Sequence, residues 1–350
     1  MSAKISVIIP SINPGKCLRK CINSVQKQTL RDIEIIIADS SSDEETARIL
    51  EDALEDNRIQ ILKINSKSYG ALVNAGLEAA SAPYVSIIRP GDWAEPDFFK
   101  ELYAKAAAQS SDILLTDFYM TPAPGESESL YRLPAKFANG KTFDPVRTYD
   151  TSLEQSDIFS IDCASGSALI SKQILKKYNI WFSENDNSLF HDISFSFKVW
   201  ACAQKAVLLN TSYLHCGYKG GSVKNGEGTL KQAASALDEY EEIKGFVDEI
   251  FREDEKKRSV LLCIMMRLKF DSCLACCDIL PSPQYKEFIY DAALEFQKDA
   301  DEGHVEAKYF PSFDWNYFKT WVYDPEAIID AQKKSRKPTF VQRLKKAFGK

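Results

Sequence analysis

The sequence predicts an α/β fold, in which a mostly parallel β-sheet is covered by helices on both faces and is followed by a C-terminal helical region. Short apolar, β-branched runs alternate with helical patterns over the first 120 residues. These runs are apolar almost throughout, as in strands that are buried on both faces. Beyond about residue 228 the patterns are helical. Together these observations predict repeated βα units and then a helical segment.

The elements of the repeat follow one another in a regular order. Strands are predicted at 5–10, 33–39, 59–64 and 84–89, and helices at 16–29, 44–56, 69–80 and 96–108. Parallel sheets bind ligands beyond the carboxyl ends of their strands. We therefore expect a binding site at residues 10–13, 39–43, 65–70 and 89–93.

The chain is predicted to have three regions. Residues 1–227 form the α/β domain, residues 228–332 form the helical region and residues 333–350 form a basic tail. The stretch from about 120 to 160 is irregular, and a long connection of this kind is often found beside an active site.

Composition places the chain among globular proteins. Of its 350 residues, 45% are hydrophobic and 27% are charged, which is ordinary for a soluble protein. The N-terminal residues show neither a signal-peptide pattern nor a membrane span, so a cytoplasmic location is expected. The nine cysteines lack the spacing of a zinc site, and we expect them to be core thiols. No nucleic-acid partner is expected.

The tail differs in charge from the rest of the chain. Residues 333–350 contain eight Lys or Arg and no acid, whereas the remainder has 36 basic and 50 acidic residues. Phe340, Val341, Leu344 and Phe348 recur at roughly helical spacing within it. Such a segment is either a solvated end or a helix that binds an anionic membrane surface, and we expect peripheral attachment to the inner face of the cell membrane.

Four stretches carry a resemblance to a known family. They are "ISVIIPSIN", "CLRKCINSVQKQTLRDIEIIIADSSSDE", "NSKSYGALVNAGLEAASAPYVSIIRPGDWAEPDFF" and "HDISFSFKVWACAQKAVLLNTSYLHCGYKGGSV". In this order and spacing they resemble family 2 glycosyltransferases, which are inverting enzymes with a GT-A fold. The resemblance covers roughly residues 3 to 225 and is to bacterial members that act on cell-surface polysaccharides. It implies a nucleotide-diphosphate sugar donor, with a UDP-sugar expected, and a glycan or lipid-linked acceptor.

The resemblance assigns nucleotide binding to the first two loops. Pro10, Ser11 and Asp39 match the positions that hold the nucleotide, and a carboxylate can accept the imide N–H of uracil. The alternative for Asp39 is a helix N-cap. Family members usually have a second aspartate next, and here it is Ser40.

The third loop is expected to approach the donor. Tyr69, Gly70 and Asn74 match its motif, with Gly70 and Gly76 permitting close backbone packing. Many relatives have an arginine where this chain has Val73.

The late motif "FHDISFSFKVW" is expected to form the acceptor side. The resemblance makes Asp192 the catalytic base, which removes the proton of the attacking hydroxyl. His191 either supports Asp192 or fills a polar corner. Trp93 is either a platform for a sugar face or a core residue. Three further aromatic residues of the motif, Phe195, Phe197 and Trp200, are expected in the core.

The loop "RPGDW" departs from the family pattern. Relatives have acids where Arg89 and Gly91 stand, and the second of those acids usually holds the divalent metal that bridges the donor diphosphate. Asp92 alone makes a weak Mn²⁺ or Mg²⁺ site. Arg89 either binds the diphosphate in place of the metal or points outward to a surface acid. Lys219 is a further candidate for phosphate contact.

These assignments lead to one prediction with an alternative. The predicted function is inverting sugar transfer from a nucleotide-diphosphate donor. The alternative is a catalytically weakened homologue that binds a nucleotide sugar or a glycan, or that scaffolds a polysaccharide assembly complex. A dehydrogenase is poorly supported, because "PSINPGKCL" stands where a G-x-G-x-x-G turn would be required.

Overall fold

The computed structural model of the chain describes residues 2–121, 127–133, 139–151, 158–163, 166–185, 191–217, 228–281, 283–310 and 312–335. Its strands form one mixed sheet with the order β3-β2-β1-β4-β9-β6-β10-β5, in which β7 also pairs with β6 and β8 with β10. The strands are β1 (Ile5–Ser11), β2 (Ile33–Asp39), β3 (Ile59–Lys63), β4 (Tyr84–Ile87), β5 (Trp93–Ala94), β6 (Ile113–Met120), β7 (Ser129–Tyr131), β8 (Thr142–Phe143), β9 (Ala168–Ser171) and β10 (Ala206–Cys216).

Seven helices belong to the first part of the chain and five to the last part of the described residues. They are α1 (Lys16–Gln26), α2 (Glu44–Ala53), α3 (Tyr69–Ala79), α4 (Phe98–Gln109), α5 (Pro145–Thr151), α6 (Lys172–Lys177), α7 (His191–Cys202), α8 (Leu230–Ile250), α9 (Glu255–Ile279), α10 (Gln284–Asp301), α11 (Ser312–Tyr323) and α12 (Pro325–Ser335). No helix within these ranges is both long enough and apolar enough to cross a membrane.

The prediction of a mostly parallel sheet with covering helices is confirmed. Strand β1 pairs in parallel with both β2 and β4, β2 pairs in parallel with β3, and β6 does so with β10. Antiparallel strands were not predicted, and the main one is β9, which lies between β4 and β6. Its four residues follow an irregular connection, after the regular alternation of predicted strands and helices has ended.

Both faces of β1 are buried, which explains its unbroken apolar run. Ile5, Val7 and Ile9 belong to the core cluster that includes Leu18 and Val25 of α1. On the opposite face Ile8 packs against α3 so closely that a Cβ on Gly76 would lie 2.5 Å from the Ile8 Cγ2 atom. A strand between two helical layers has no solvent face, and hence no polar alternation.

The chain divides into two compact units. The first comprises Met1–Ser222 with Asp238–Leu261, and the second comprises Val223–Leu237 with Leu262–Lys350. This division starts near the predicted boundary after residue 227, but it groups 238–261 with the first unit.

Burial of the cysteines agrees with their predicted role as core thiols. None of the nine forms a disulfide, seven are buried, and only Cys17 is exposed. Burial raises the pKa of Cys202 and of Cys276 to about 12. A thiol whose charged form is disfavoured in this way is a poor nucleophile and metal ligand.

Candidate functional site

The carboxyl ends of three neighbouring parallel strands meet at one edge of the sheet. Ser11, the last residue of β1, is level with Asp39, the last residue of β2. On the other side of β1 lies β4, and Arg89 follows its end. Tyr69 begins the helix that follows β3. The predicted donor-side residues of the first four loops therefore lie where parallel sheets bind ligands.

Asp39 is a buried carboxylate that is paired within the protein. Its side chain is inaccessible, Oδ1 accepts a hydrogen bond from Ser11 Oγ at 2.8 Å, and Oδ2 lies 2.6 Å from Lys63 Nζ. The N-cap of α2 is Asp43, which accepts a hydrogen bond from the Thr46 backbone N–H. The helix-cap alternative for Asp39 is therefore wrong. Because the Lys63 side chain is 68% exposed, this ion pair is open to exchange with a ligand.

The first and second loops form one connected wall of the site. The Ser40 backbone N–H donates to the Ser11 carbonyl at 2.9 Å. The Asn13 N–H donates to Ser41 Oγ, and the Ser42 N–H donates to Asn13 Oδ1, each at 2.8 Å. Pro10 precedes Ser11 within β1, so its position is set by the parallel pairing with β2.

One face of α3 is built to receive the segment that precedes α7. A Cβ on Gly70 would lie 1.9 Å from the Ser183 carbonyl oxygen, so only glycine fits there. One helical turn later, Asn74 Nδ2 donates to the Phe182 carbonyl at 3.0 Å and to Glu184 Oε1 at 2.8 Å, while Asn74 Oδ1 accepts from the Phe182 N–H. Close packing at Gly70 was predicted, but its partner here is residues 182–184. The donor roles of Gly70 and Asn74 stay predictions.

Arg89 points into the protein and not toward a surface acid. Its side chain is 15% exposed, and its Nη2 lies 3.1 Å from Asp162 Oδ2 and 3.2 Å from Asp192 Oδ2. Its Nε donates to Tyr69 Oη at 3.4 Å. Burial lowers the pKa of Arg89, but Tyr69 and the two carboxylates more than offset this and raise it well above its usual value. The guanidinium is a permanent cation that contacts the predicted base.

Asp192 lies in the first turn of α7, where the helix dipole favours a carboxylate. Its side chain is 26% exposed, so it is open to a substrate. His191 is the first residue of the same helix, and its side chain lies outside what the structure describes. The aromatic residues of the motif are core residues as predicted, because Phe195, Phe197 and Trp200 are fully buried.

Asp162 is the site residue that sequence reasoning missed. It shares Arg89 with Asp192, and Ser196 Oγ donates to its Oδ1 at 3.4 Å. The same segment is held to α7 by Trp200 Nε1, which donates to the Ile161 carbonyl at 2.9 Å. The sequence signal was the acid in "SIDCASG", but this stretch has no strand or helix pattern that would place it beside Arg89.

The loop at 89–92 does not fit a divalent-metal site. Gly91 has a positive φ of 102° and no side chain to offer, and Asp92 is the only acid of the loop. Asp92 is buried, and its Oδ1 accepts a hydrogen bond from the Gly217 N–H at 2.9 Å. Within the described ranges, the group of side chains close enough together to hold a metal is Asp299, Glu302 and His304, in the second unit.

Trp93 has a neighbour on each face of its ring. The His215 imidazole stacks on one face with a centroid distance of 3.7 Å and an interplanar angle of 8°. Lys20 Nζ lies 4.2 Å from the ring centroid. His215 also stacks on Tyr119, and its ring nitrogens contact Glu128 and Glu95. A sugar ring would have to displace one of these neighbours to stack on Trp93, so its acceptor role stays a prediction and its packing role has direct support.

Lys219 lies outside the described residues, together with the rest of 218–227. Its assignment as a phosphate contact therefore stays a prediction.

Comparisons with known proteins agree with this architecture. The family model for glycosyl transferase family 2 matches residues 6–179, about half of the chain. Glycosyltransferase GlyA of Streptococcus pneumoniae is 27% identical over 63% of this chain and 31% of its own length. The cholesterol galactosyltransferase of Borreliella burgdorferi is 26% identical over 68% of this chain and 66% of its own length.

Solved structures of Staphylococcus aureus TarS share the fold. Residues 1–349 of TarS in complex with UDP-GlcNAc superpose with a TM-score of 0.68 and 20% identity, over 96% of this chain and 93% of that chain. The complex with UDP gives a TM-score of 0.66. At this identity the likeness establishes the fold alone.

The chain spans 31% to 40% of the length of the first three curated relatives. The matched domain contains the first two site loops, the Gly70 helix, the Arg89 loop and Asp162. Its sheet order and its helical layers are those expected for the GT-A fold. The chain belongs to glycosyl transferase family 2.

Proposed function

We propose that the chain is an inverting glycosyltransferase. It would move a sugar from a nucleotide-diphosphate donor to a hydroxyl of a glycan or lipid-linked acceptor in cell-surface polysaccharide synthesis. The observation that carries the proposal is the pairing of Asp192, a partly exposed carboxylate, with Arg89, at the edge of the sheet where Asp39 ends β2. A base and a cation are thus close together at the ligand-binding edge of a family 2 fold.

The chemistry assigns each group a separate task. Asp192 takes the proton of the acceptor hydroxyl while its oxygen forms a bond to the anomeric carbon. The bond from that carbon to the donor phosphate breaks, its electron pair leaves with the nucleoside diphosphate, and the configuration inverts. Charge builds on the leaving diphosphate, where a fixed guanidinium such as that of Arg89 is stabilising.

A UDP-sugar is the proposed donor. TarS, the poly(ribitol-phosphate) β-N-acetylglucosaminyltransferase of Staphylococcus aureus, has been solved with UDP-GlcNAc and with UDP. Since the loop at 89–92 does not fit a metal, we propose that Arg89 supplies positive charge to the diphosphate and that donor binding does not require a metal. Pro10, Ser11, Asp39, Tyr69 and Gly70 would form the rest of the nucleotide side.

The test is UDP release from a panel of UDP-sugars in the presence of candidate glycan acceptors. Asp192→Asn should bind UDP and release less than about 1% as much, since losing a positioned base costs 10²–10⁴-fold. Asp291→Asn, the same change at an exposed position on α10, is the matched control and should behave as the parent. Turnover within a few-fold of the parent in Asp192→Asn would show that another residue is the base.

A second candidate is a homologue that binds a nucleotide sugar without transferring it. The direct ion pair between Arg89 and Asp192 favours it, because a carboxylate held by a guanidinium is a weaker base. This second candidate predicts that the chain binds UDP but releases no UDP from any UDP-sugar of the panel.

The location proposed is cytoplasmic, with the tail on the inner face of the cell membrane. Its support is the charge of residues 333–350, of which 336–350 lie outside the described residues.

A further inference from the structure

Arg89 has two anionic partners at a single atom. Nη2 lies 3.1 Å from Asp162 Oδ2 and 3.2 Å from Asp192 Oδ2. A guanidinium Nη carries two N–H groups, and here one is directed to each carboxylate. A phosphate oxygen that bonds to Nη2 must therefore take the place of one of them.

The two carboxylates are held with unequal strength. Asp162 has a second contact at its other oxygen, from Ser196 Oγ at 3.4 Å, and its segment is held by the hydrogen bond from the Cys163 N–H to Ser196 Oγ at 3.0 Å. For Asp192, Arg89 is the one hydrogen-bond partner that the described part of the chain provides. The additional contact of Asp162 favours its retention when a ligand arrives at Arg89.

The pairing bears directly on the chemistry of the base. An adjacent cation favours the ionised carboxylate and so weakens it as a proton acceptor. A donor diphosphate carries more negative charge than a carboxylate, and it offers oxygens that match the guanidinium fork. Tyr69 Oη at 3.4 Å from Nε keeps the guanidinium oriented toward this edge.

We propose that the Arg89–Asp192 ion pair is a latch that the donor opens, with Asp162 as the residue that positions Arg89. On donor binding, the Nη2 contact passes from Asp192 to the diphosphate while the contact to Asp162 is retained. Asp192 Oδ2 is then open to the acceptor hydroxyl and accepts its proton. This proposal rests on the proposed function, and it makes donor binding precede activation of the acceptor.

The latch predicts that Asp192 competes with the donor for Arg89. Asp192→Asn keeps the size of the side chain but removes its charge, so it should strengthen UDP binding. Among the described residues, Asp162 and Asp192 contact Arg89 Nη2, and Tyr69 Oη accepts from its Nε.

The experiment is calorimetric titration of the full chain with UDP. We expect Asp192→Asn to bind UDP about fivefold or more tightly than the parent does, because UDP no longer has to displace a carboxylate from Arg89 Nη2. Asp291→Asn is the control and should match the parent.

Asp162→Asn tests the positioning residue and is the matched loss of one negative charge. A general charge effect would strengthen UDP binding as much in this variant as in Asp192→Asn. If Asp162 positions Arg89, this variant should gain less UDP affinity than Asp192→Asn does. If this variant does not fold, the comparison of the parent with Asp192→Asn still decides the question.

The outcomes separate the two proposals. Equal UDP affinity of the parent and Asp192→Asn would overturn the latch and leave the proposed function standing, and equal gains in Asp192→Asn and Asp162→Asn would show a general charge effect and also overturn it. A parent that binds no UDP would overturn both.

Discussion

Replacement of Gly70 by alanine should destabilise the first unit and displace the segment that leads to α7. The added Cβ would lie 1.9 Å from the Ser183 carbonyl oxygen and 2.9 Å from its carbon. Ordinary contacts begin near 3.4 Å, so the two backbones must separate by about 1.5 Å. The obstacle is main chain and cannot rotate away, as a long side chain would.

The magnitude follows from two effects at the same interface. Overpacking of this kind costs about 1–3 kcal/mol. The separation also stretches the two hydrogen bonds between Asn74 and the Phe182 backbone, each worth about 1 kcal/mol. Helix propensity returns less than about 1 kcal/mol. We expect a net loss of about 2–4 kcal/mol in the free energy of unfolding.

The measurement is urea unfolding followed by circular dichroism, with Gly245→Ala as the matched control. Gly245 lies in α8 within the same unit, is exposed, and has nothing within 4 Å of an added Cβ. The control should gain about 0.5–1 kcal/mol, as expected for Gly to Ala in a helix. An unchanged urea midpoint for Gly70→Ala, beside a raised one for the control, would refute the close approach of α3 to residues 182–184.

Three other predictions concern the ligand edge, Trp93 and the tail. If Arg89 replaces the metal, UDP should bind equally well in chelator and in manganese, and Arg89→Ala should weaken binding at least tenfold; a requirement for manganese would contradict this. Trp93→Ala should lower the free energy of unfolding by about 2 kcal/mol through loss of the stack with His215. Trp93→Phe should leave the KM for the acceptor unchanged. A large rise in that KM would support a sugar-stacking role for Trp93. A chain ending at Gln332 should sediment less with anionic vesicles than the full chain, by about 1 kcal/mol per basic residue near the surface at low salt; equal sedimentation would exclude the membrane role of the tail.

The parallel half of the sheet was predictable because each of its strands is buried on both faces. Strand β2 was predicted with its observed bounds, and the other early elements differ by a few residues at their ends, where hydrogen bonding and not periodicity decides. Strand β9 was not predicted, because its four residues are too few to show a period and they follow an irregular connection, although α6 begins directly after them. Its antiparallel pairing depends on β4 and β6, which are distant in the sequence.

Some site residues could be predicted from local sequence motifs, whereas the contacts between them depend on residues that are distant in the sequence. The resemblance assigned Arg89 and Asp192 to two separate motifs, but nothing in the sequence indicates that their side chains are in contact. The contact depends on the tertiary arrangement of α7, and so does the inclusion of Asp162. For Asp39 the structure excludes the helix-cap alternative, because Asp43 is the N-cap of α2, and the nucleotide-binding role stays a prediction.

The departures in the loop at 89–92 are electrostatically consistent with one another. In the family pattern a divalent cation compensates the acids of this loop and the charge of the donor. Here Arg89 brings one positive charge to two carboxylates, Asp162 and Asp192, and Gly91 removes an acid that would otherwise need a cation. The group of three side chains is left with one net negative charge, which would repel a diphosphate unless one carboxylate is protonated or moves away. The proposed release of Asp192 from Arg89 would meet that requirement by moving one carboxylate away from the diphosphate.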